Sequence, residues 1–384
     1  MRRPHILAAL VVLSVGAPAA VQPPQPGVSR LPAADLNLTL KAPITTWDEA
    51  IPLGNGLLGG LLWGEGARLR LSLDRGDLWD ERPADGVEWD RFNYRTMREL
   101  VAAGKNDEFN RVFDKPYDGL HPTKLPAGRV EIALPAGLEV TSFELNLASA
   151  EGRAHTANGP ITAFFSAAER VALVRIPGAN APTFEVKRPD SLAKLGYAAA
   201  QPGGREGASW FVQDTAGGQR FCVFVASGRL PNATLLAMTV TTSHDGPDPV
   251  AVADKLTAAA LLRGYEATLK PHAAWWNQFW AASRVAIPNP AALRHYYLVR
   301  YFYGAASRKG APPMPLQGVW TADAGGLPPW KGDYHNDLNT QTTYLAYQAA
   351  GHFEEGSAFL DLLWNLTPRF RLFAREFYAA PGAS

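Results

Sequence analysis

Cysteine is nearly absent from this sequence. Cys222 stands alone, which excludes an internal disulfide framework and any zinc or iron–sulfur site built from several thiolates. An excess of either charge is lacking too: Lys+Arg 37 against Asp+Glu 36 leave a formal charge of +1. That balance argues against a basic nucleic-acid binder and against an acidic tail protein. Charged residues amount to only 19%, below the about 25% of average globular chains. Beyond the first twenty residues no apolar run approaches the roughly 18 residues that a membrane span needs. There is no G-x-S-x-G and no serine beside a His/Asp pair, which removes a serine-hydrolase reading. Internal repeats are missing as well.

What the chain does have is 47% hydrophobic residues over 384 positions, with Gly 35 and Pro 31. The apolar share supports a large core and rules out global disorder. Many turn formers with few charges suit a β-rich, loop-rich protein. The length indicates two or three domains of the usual roughly 100–200 residues. Arg2 and Arg3 precede an apolar run from Ile6 to Gly16, and Ala17-Pro18-Ala19-Ala20 follows. A charged start, a short apolar core and an A-x-A site define an export signal. Residues 1–20 are therefore expected to be a signal peptide, 21–31 a disordered leader, and the protein exported to the periplasm or the extracellular space.

From Leu36 to about Thr242, short apolar runs alternate with Gly, Pro, Asp and Asn. LNLTL (36–40), GLLGGLLWG (56–64), RLRLSL (68–73), RVEIAL (129–134), SFELNL (142–147), ITAFFS (161–166), VALVRI (171–176) and RFCVFVAS (220–227) are the clearest. Several have period two and end at turn residues, the pattern of antiparallel strands. The spacing of Leu100, Val101, Phe109 and Phe113 predicts a helix inserted within 91–113. After Pro247-Asp248-Pro249 the period changes. Helices are expected over 250–269, after Pro271, after Pro290, over Thr340–Ala350, and from Phe353 to Tyr378 with an interruption before Pro368. The expected organisation is a multidomain β + α chain: a β-sandwich over 32–246, a helical linker over 247–287, and a helical region over 288–384.

Gly54-Asn55-Gly56-Leu57-Leu58-Gly59 matches G-x-G-x-x-G literally, but Pro52 precedes it and no helix start follows. Glycines in a tight turn between strands fit better than a dinucleotide site. Trp275, Trp276, Phe279 and Trp280 share one helical face and are expected to pack in the core. Tyr296, Tyr297 and Tyr301 fit the same reading, His272 carries no assigned role, and Cys222 reads as an inert core residue. The loop Asp333-Tyr334-His335-Asn336-Asp337-Leu338-Asn339 lacks the Gly and Glu of an EF-hand at the required positions. Asp337 fits a helix cap. The loop also fits a sugar site, because Trp320, Trp330 and Tyr334 surround carboxylate and amide groups.

Two blocks together resemble glycoside hydrolase family 95. TTWDEAIPLGNGLLGGLLWG (45–64) with LRLSLDRGDLW (69–79) looks like the opening of that family. LQGVWTADAGGLPPWKGDYHNDLNTQTTYLAY (316–347) looks like the start of its catalytic barrel. The resemblance runs from about Leu36 to the end and implies an N-terminal antiparallel β-super-sandwich, a helical linker, and an (α/α)6 barrel. It implies an inverting α-L-fucosidase or α-L-galactosidase acting on oligosaccharides or polysaccharides, without metal or other cofactor. By the same resemblance Asp337 and Asn339 stand where the family places two Asn that position the attacking water. The first amide is thus replaced by a carboxylate able to act as the base itself. Leu345 replaces the family's Trp after Tyr, which leaves the sugar open. Trp330, Tyr334 and His335 are the expected substrate contacts, converging with Asp337 and Asn339 on one pocket.

The family's general-acid Glu lies later in the barrel, and 288–384 has room for about four helices of ordinary length against the barrel's twelve. The chain is therefore expected to be an N-terminal fragment, inactive by itself, with an incomplete barrel. Glu354 and Glu355 fit a solvated helix start rather than the acid. Two other readings remain open: a carbohydrate-binding or surface protein without catalysis, and a polysaccharide lyase on an (α/α)6 scaffold. No nucleic-acid partner and no membrane span is expected.

Overall fold

The computed structural model describes residues 31–321, 323 and 325–382. The expected signal peptide and nearly all of the leader lie outside the described residues. Among the described residues sixteen strands come first, with helices interspersed and then dominating. In chain order the strands are β1 (Leu38–Lys41), β2 (Ile51–Gly54), β3 (Leu58–Glu65), β4 (Arg68–Arg75), β5 (Trp79–Asp80), β6 (Thr123–Lys124), β7 (Gly128–Ala133) and β8 (Ser142–Asn146). They continue as β9 (Glu151–His155), β10 (Ile161–Phe165), β11 (Ala172–Pro177), β12 (Thr183–Lys187), β13 (Gln201–Arg205), β14 (Ala208–Asp214), β15 (Arg220–Leu230) and β16 (Ala233–Thr242). The nine-stranded sheet has the order β1-β8-β9-β10-β11-β16-β15-β14-β13, and the five-stranded sheet β12-β7-β4-β3-β2. Every strand pair among the described residues is antiparallel.

The alternation in β7 and β8 turns one row of side chains inward, as period two requires. The two sheets meet face to face. Leu53, Leu62, Leu71 and Val130 of the smaller sheet share a core with Phe143, Val174, Val223 and Met238 of the larger. Strand β16 is buried along all ten residues. Its second face lies under α4 (Pro249–Arg263), where Leu235 and Ala237 meet Ala260, so it shows the continuous apolar run of a doubly covered strand rather than alternation. Cys222 packs against Ala253 of α4, and burial pushes its thiol up to about 12.

The helices depart from the sequence reading in three places. Residues 91–113 form not one helix but two, α1 (Tyr94–Ala102) and the short α2 (Asn106–Phe109), which continues as a π-helical turn over Asn110–Asp114; they are divided where Gly104 takes a left-handed φ of 65°. Two more breaks were misplaced. The first falls at Gly264 (φ 84°), so that α5 (Tyr265–Ala281) runs through Pro271. The last helix is also continuous through Pro368, over Phe353–Tyr378. A helical proline removes one N–H bond, whereas Thr268, His272 and Trp276 are buried on the turns flanking Pro271, and that packing outweighs the loss. A one-turn α3 (Ser191–Lys194), α6 (Pro290–Ala306), α7 (Asn339–Ala349) and α8 (Phe353–Tyr378) complete the helices.

The helices and the sandwich share one core, since Trp276, Trp280 and Tyr301 belong to the same buried cluster as Leu53. The joint is the β2–β3 hairpin. Asn55 holds its tip, donating to Ser166 O and Glu169 O and accepting from the Leu57 and Leu58 amides. The Gly56 N–H then donates to Ala305 O at 2.7 Å. A Cβ on Gly59 would overlap the Val319 carbonyl, and one on Gly54 would stand 2.5 Å from Ala305 O. These glycines do form a turn between strands, and their lack of side chains lets the end of α6 and the 319 segment dock on it. No helix among the described residues is long and apolar enough to cross a membrane.

Candidate functional site

The polar loop 333–338 leads into α7 and is held from beneath by the sandwich region. Lys124 of β6 is fully buried and donates to Asp74 Oδ1 at 2.7 Å, to Arg75 O and to Leu125 O. Burial raises the Asp74 carboxyl while the Lys124 ammonium opposes that rise. Above this pair Thr123 Oγ1 donates to Lys331 O, and Gly332 packs where a Cβ would stand 2.9 Å from Lys124 Cβ.

The turn before the loop is left-handed over three residues, Trp330 (φ 53°), Lys331 (φ 57°) and Gly332 (φ 62°). Two non-glycine residues in that region cost of order 1–3 kcal/mol each. Lys331 secures the turn, donating Nζ to Gly119 O at 2.6 Å and standing 4.9 Å over the Tyr117 ring. The strain presents Trp330 to solvent, 67% exposed, with its ring edge-on to His335 at 5.8 Å. Strained residues of this kind cluster at ligand sites.

The five residues singled out in the sequence occupy different positions around this turn. His335 and Asn339 line one cavity of about 380 Å³ with Tyr303, Met314 and Thr343. Trp330 touches it through His335. Tyr334 faces the other way: it stacks on Trp79 at 5.6 Å, donates its hydroxyl to Pro313 O, and burial pushes its acidity weaker. Its aromatic ring finds a partner in the sandwich edge rather than in the cavity. Asp337 is exposed just outside the cavity lining. It does not cap α7, which starts at Asn339 with Leu338 as N-cap and no side-chain cap bond. Neither the Asp337 carboxylate nor the Asn339 amide has a hydrogen-bond or ion-pair partner among the described residues. A free carboxylate and a free amide therefore stand two positions apart at a helix start, open to water.

Two residues without an assigned role also belong here. Asp333 Oδ1 stands 3.0 Å from His335 Nε2, and Tyr117 donates its hydroxyl to Asp333 Oδ2 at 3.3 Å. Asp333 lay inside the motif and was open to notice. Tyr117 was not, being 216 positions away. Among the described residues no group of three or more His, Cys, Asp or Glu side chains is placed to hold a metal ion. Trp276, Phe279 and Trp280 are core residues and take no part in this site.

Comparison with known proteins returns two family models. The glycosyl hydrolase family 65 N-terminal domain matches residues 38–242, more than half of the chain, and the glycosyl hydrolase family 95 catalytic domain matches residues 282–384. A curated relative, "Probable alpha-fucosidase A" of Aspergillus niger, is 40% identical over 52 residues, which is 14% of this chain and 6% of that protein. The chain thus spans a small part of that relative. A solved structure titled "Putative kojibiose phosphorylase from human microbiome" is 8% identical with a TM-score of 0.44, covering 70% of this chain and 38% of that one. Such a score supports no functional statement.

Proposed function

We propose that this chain, which carries a glycosyl hydrolase family 65 N-terminal domain and matches the family 95 catalytic domain over residues 282–384, hydrolyses α-L-fucosyl or related bonds with inversion. The observation that carries the reading is the unpaired Asp337 and Asn339 at the start of α7, beside the His335-lined cavity and the exposed Trp330. An inverting glycosidase needs a base to deprotonate water on one face of the sugar and an acid, roughly 6.5–9.5 Å away, to protonate the leaving oxygen. Asp337 is the proposed base. It removes a proton as the water oxygen bonds to the anomeric carbon, while Asn339 orients that water. Trp330 offers an apolar platform to the sugar face and His335 a polar contact to a hydroxyl. Tyr334 supports the loop from behind.

The helices α6 to α8 are proposed to open an (α/α)6 barrel whose later helices carry the acid. In support, α8 leaves Phe353, Leu360 and Trp364 exposed at 70%, 59% and 79%, an apolar face suited to further helices. Residues 1–384 alone are then expected to be inactive, and residues 1–20 to direct export. The test uses residues 21–384 and a longer polypeptide that includes downstream barrel helices. Both are screened on aryl α-L-fucosides, α-L-galactosides and natural oligosaccharides, with product anomers followed by NMR. Turnover with inversion by the longer form alone is the expected result. Robust turnover by residues 21–384 overturns the missing acid, and an unsaturated product overturns hydrolysis.

A further inference from the structure

We propose that Tyr117, carried by the insertion between β5 and β6, is a positioning residue for the sugar site. Its hydroxyl holds the Asp333 carboxylate, which fixes His335 as the Nε2–H tautomer and leaves Nδ1 to accept from a sugar hydroxyl. The proposal rests on the glycosidase reading for the identity of the ligand, whereas the Tyr117–Asp333 bond and the close approach of Asp333 to His335 do not depend on it.

Asp333 Oδ1 and His335 Nε2 are both buried atoms, 3.0 Å apart, and neither makes a hydrogen bond among the described residues, the close approach of the two not being aligned as one. An unsatisfied buried polar atom costs of order 1–3 kcal/mol, so each is best satisfied by the other. A carboxylate oxygen accepts, and therefore the imidazole nitrogen facing it carries the proton. The second carboxylate oxygen accepts from Tyr117 Oη at 3.3 Å, which restrains rotation of the carboxylate about its own axis. Tyr117 remains a donor, because burial and the neighbouring Asp333 both push its phenol toward weaker acidity. Its ring is placed by the Lys331 ammonium over its face and by the buried Pro116 before it. With Nε2 engaged, Nδ1 is the free acceptor of a ring that lines the same cavity as Asn339. In this way the sandwich region reaches across the fold to set the hydrogen-bond polarity of a site residue.

The experiment is 15N NMR of the full chain labelled at histidine, at neutral pH, with His335→Gln identifying the signal. The expected result is a pyrrole-type Nε2 and a pyridine-type Nδ1 at His335. In Tyr117→Phe, which keeps the ring, a mixture of tautomers should appear and the melting temperature should stay within a few degrees. Affinity for methyl α-L-fucoside or methyl α-L-galactoside should weaken about three- to tenfold, the loss of one hydrogen bond's worth. Asp333→Asn should shift the tautomer ratio further. A His335 that is Nδ1–H or doubly protonated in the unaltered protein overturns the proposal, as does an unchanged tautomer ratio in Tyr117→Phe. The tautomer is read without sugar, so a protein with the expected tautomer that binds neither glycoside counts against the glycosidase reading instead.

Discussion

The imidazole of His272 accepts from the Ala167 N–H through Nδ1 and contacts Ser149 O through Nε2 at 2.8 Å, a pair of bonds that only the neutral ring makes together. Burial, followed by the Arg308 charge, lowers its pKa from 6.5 to about 4. The group lies lower in the folded protein than in the unfolded chain, so below pH 6.5 the unfolded chain binds more protons. Its contribution is full above pH 6.5, falls with the pH, and is lost by about pH 4. The sum is on the order of 3 kcal/mol. His352, lowered to about 4 by burial and by Arg300, adds in the same direction. Melting temperatures should therefore drop steeply between pH 6.5 and 4.5, and His272→Gln should flatten part of that slope; an equal slope in the variant refutes the assignment. Asp337 supports a different expectation. It is exposed and unpaired, so Asp337→Ala should leave stability within about 0.5 kcal/mol. Turnover by the extended enzyme should fall by about 10²–10⁴, the weight of a general base. A stability loss near 1 kcal/mol with turnover intact would make it a cap after all.

Two turns, one at the site and one at the joint between sandwich and helices, each support a prediction about their backbone. The 330–332 turn holds Trp330 in a left-handed conformation that glycine adopts without strain. Trp330→Gly should consequently not lower the melting temperature, although it removes a large side chain, while sugar affinity falls several-fold with the loss of roughly 1 kcal/mol of stacking. A destabilised variant with unchanged affinity would show a structural tryptophan. In the β2–β3 hairpin the argument reverses. Gly59 lies against the Val319 carbonyl, and backbone cannot swing aside as a side chain can. Gly59→Ala should cost more than about 2 kcal/mol in chemical denaturation, whereas Gly66→Ala, with open space but φ 52°, should cost about 1 kcal/mol.

At the scale of the whole molecule, the sandwich and the helices are one structural unit. Tyr301 donates to Pro52 O at 2.7 Å, Trp320 Nε1 to Leu53 O at 2.8 Å, and Trp280 Nε1 to Leu147 O at 3.0 Å. These bonds sit inside a shared apolar cluster. Residues 31–382 should thus unfold in a single calorimetric transition. Residues 32–246 alone would expose the hairpin tip and the surfaces under Trp276 and Trp280, and should melt lower and self-associate. Two separate transitions in the intact chain would refute the shared core.

Alternating runs such as RVEIAL and SFELNL were legible as strands because period two is a local property of an antiparallel sheet with one buried face. The same holds for the buried tryptophan face of α5, and the blocks 45–64 and 316–347 pointed to the glycosidase family by their order. Residues Gln201–Arg205 did not read as a strand, since QPGGR has no apolar row and pairs only at the sheet edge. Pro271 and Pro368 misled, because helix continuity there is decided by packing on neighbouring turns. The site divides likewise. Local chemistry placed Asp337, Asn339, His335 and Trp330 in one loop. Only tertiary structure turned Tyr334 into the sandwich, left Asp337 unpaired, and brought Tyr117 to Asp333 across 216 positions. Periodicity is written within a few residues, so the sequence by itself determined most of the strands and helices and pointed to the family. Which polar groups find partners depends on surfaces far apart in the chain, and folding alone decides that.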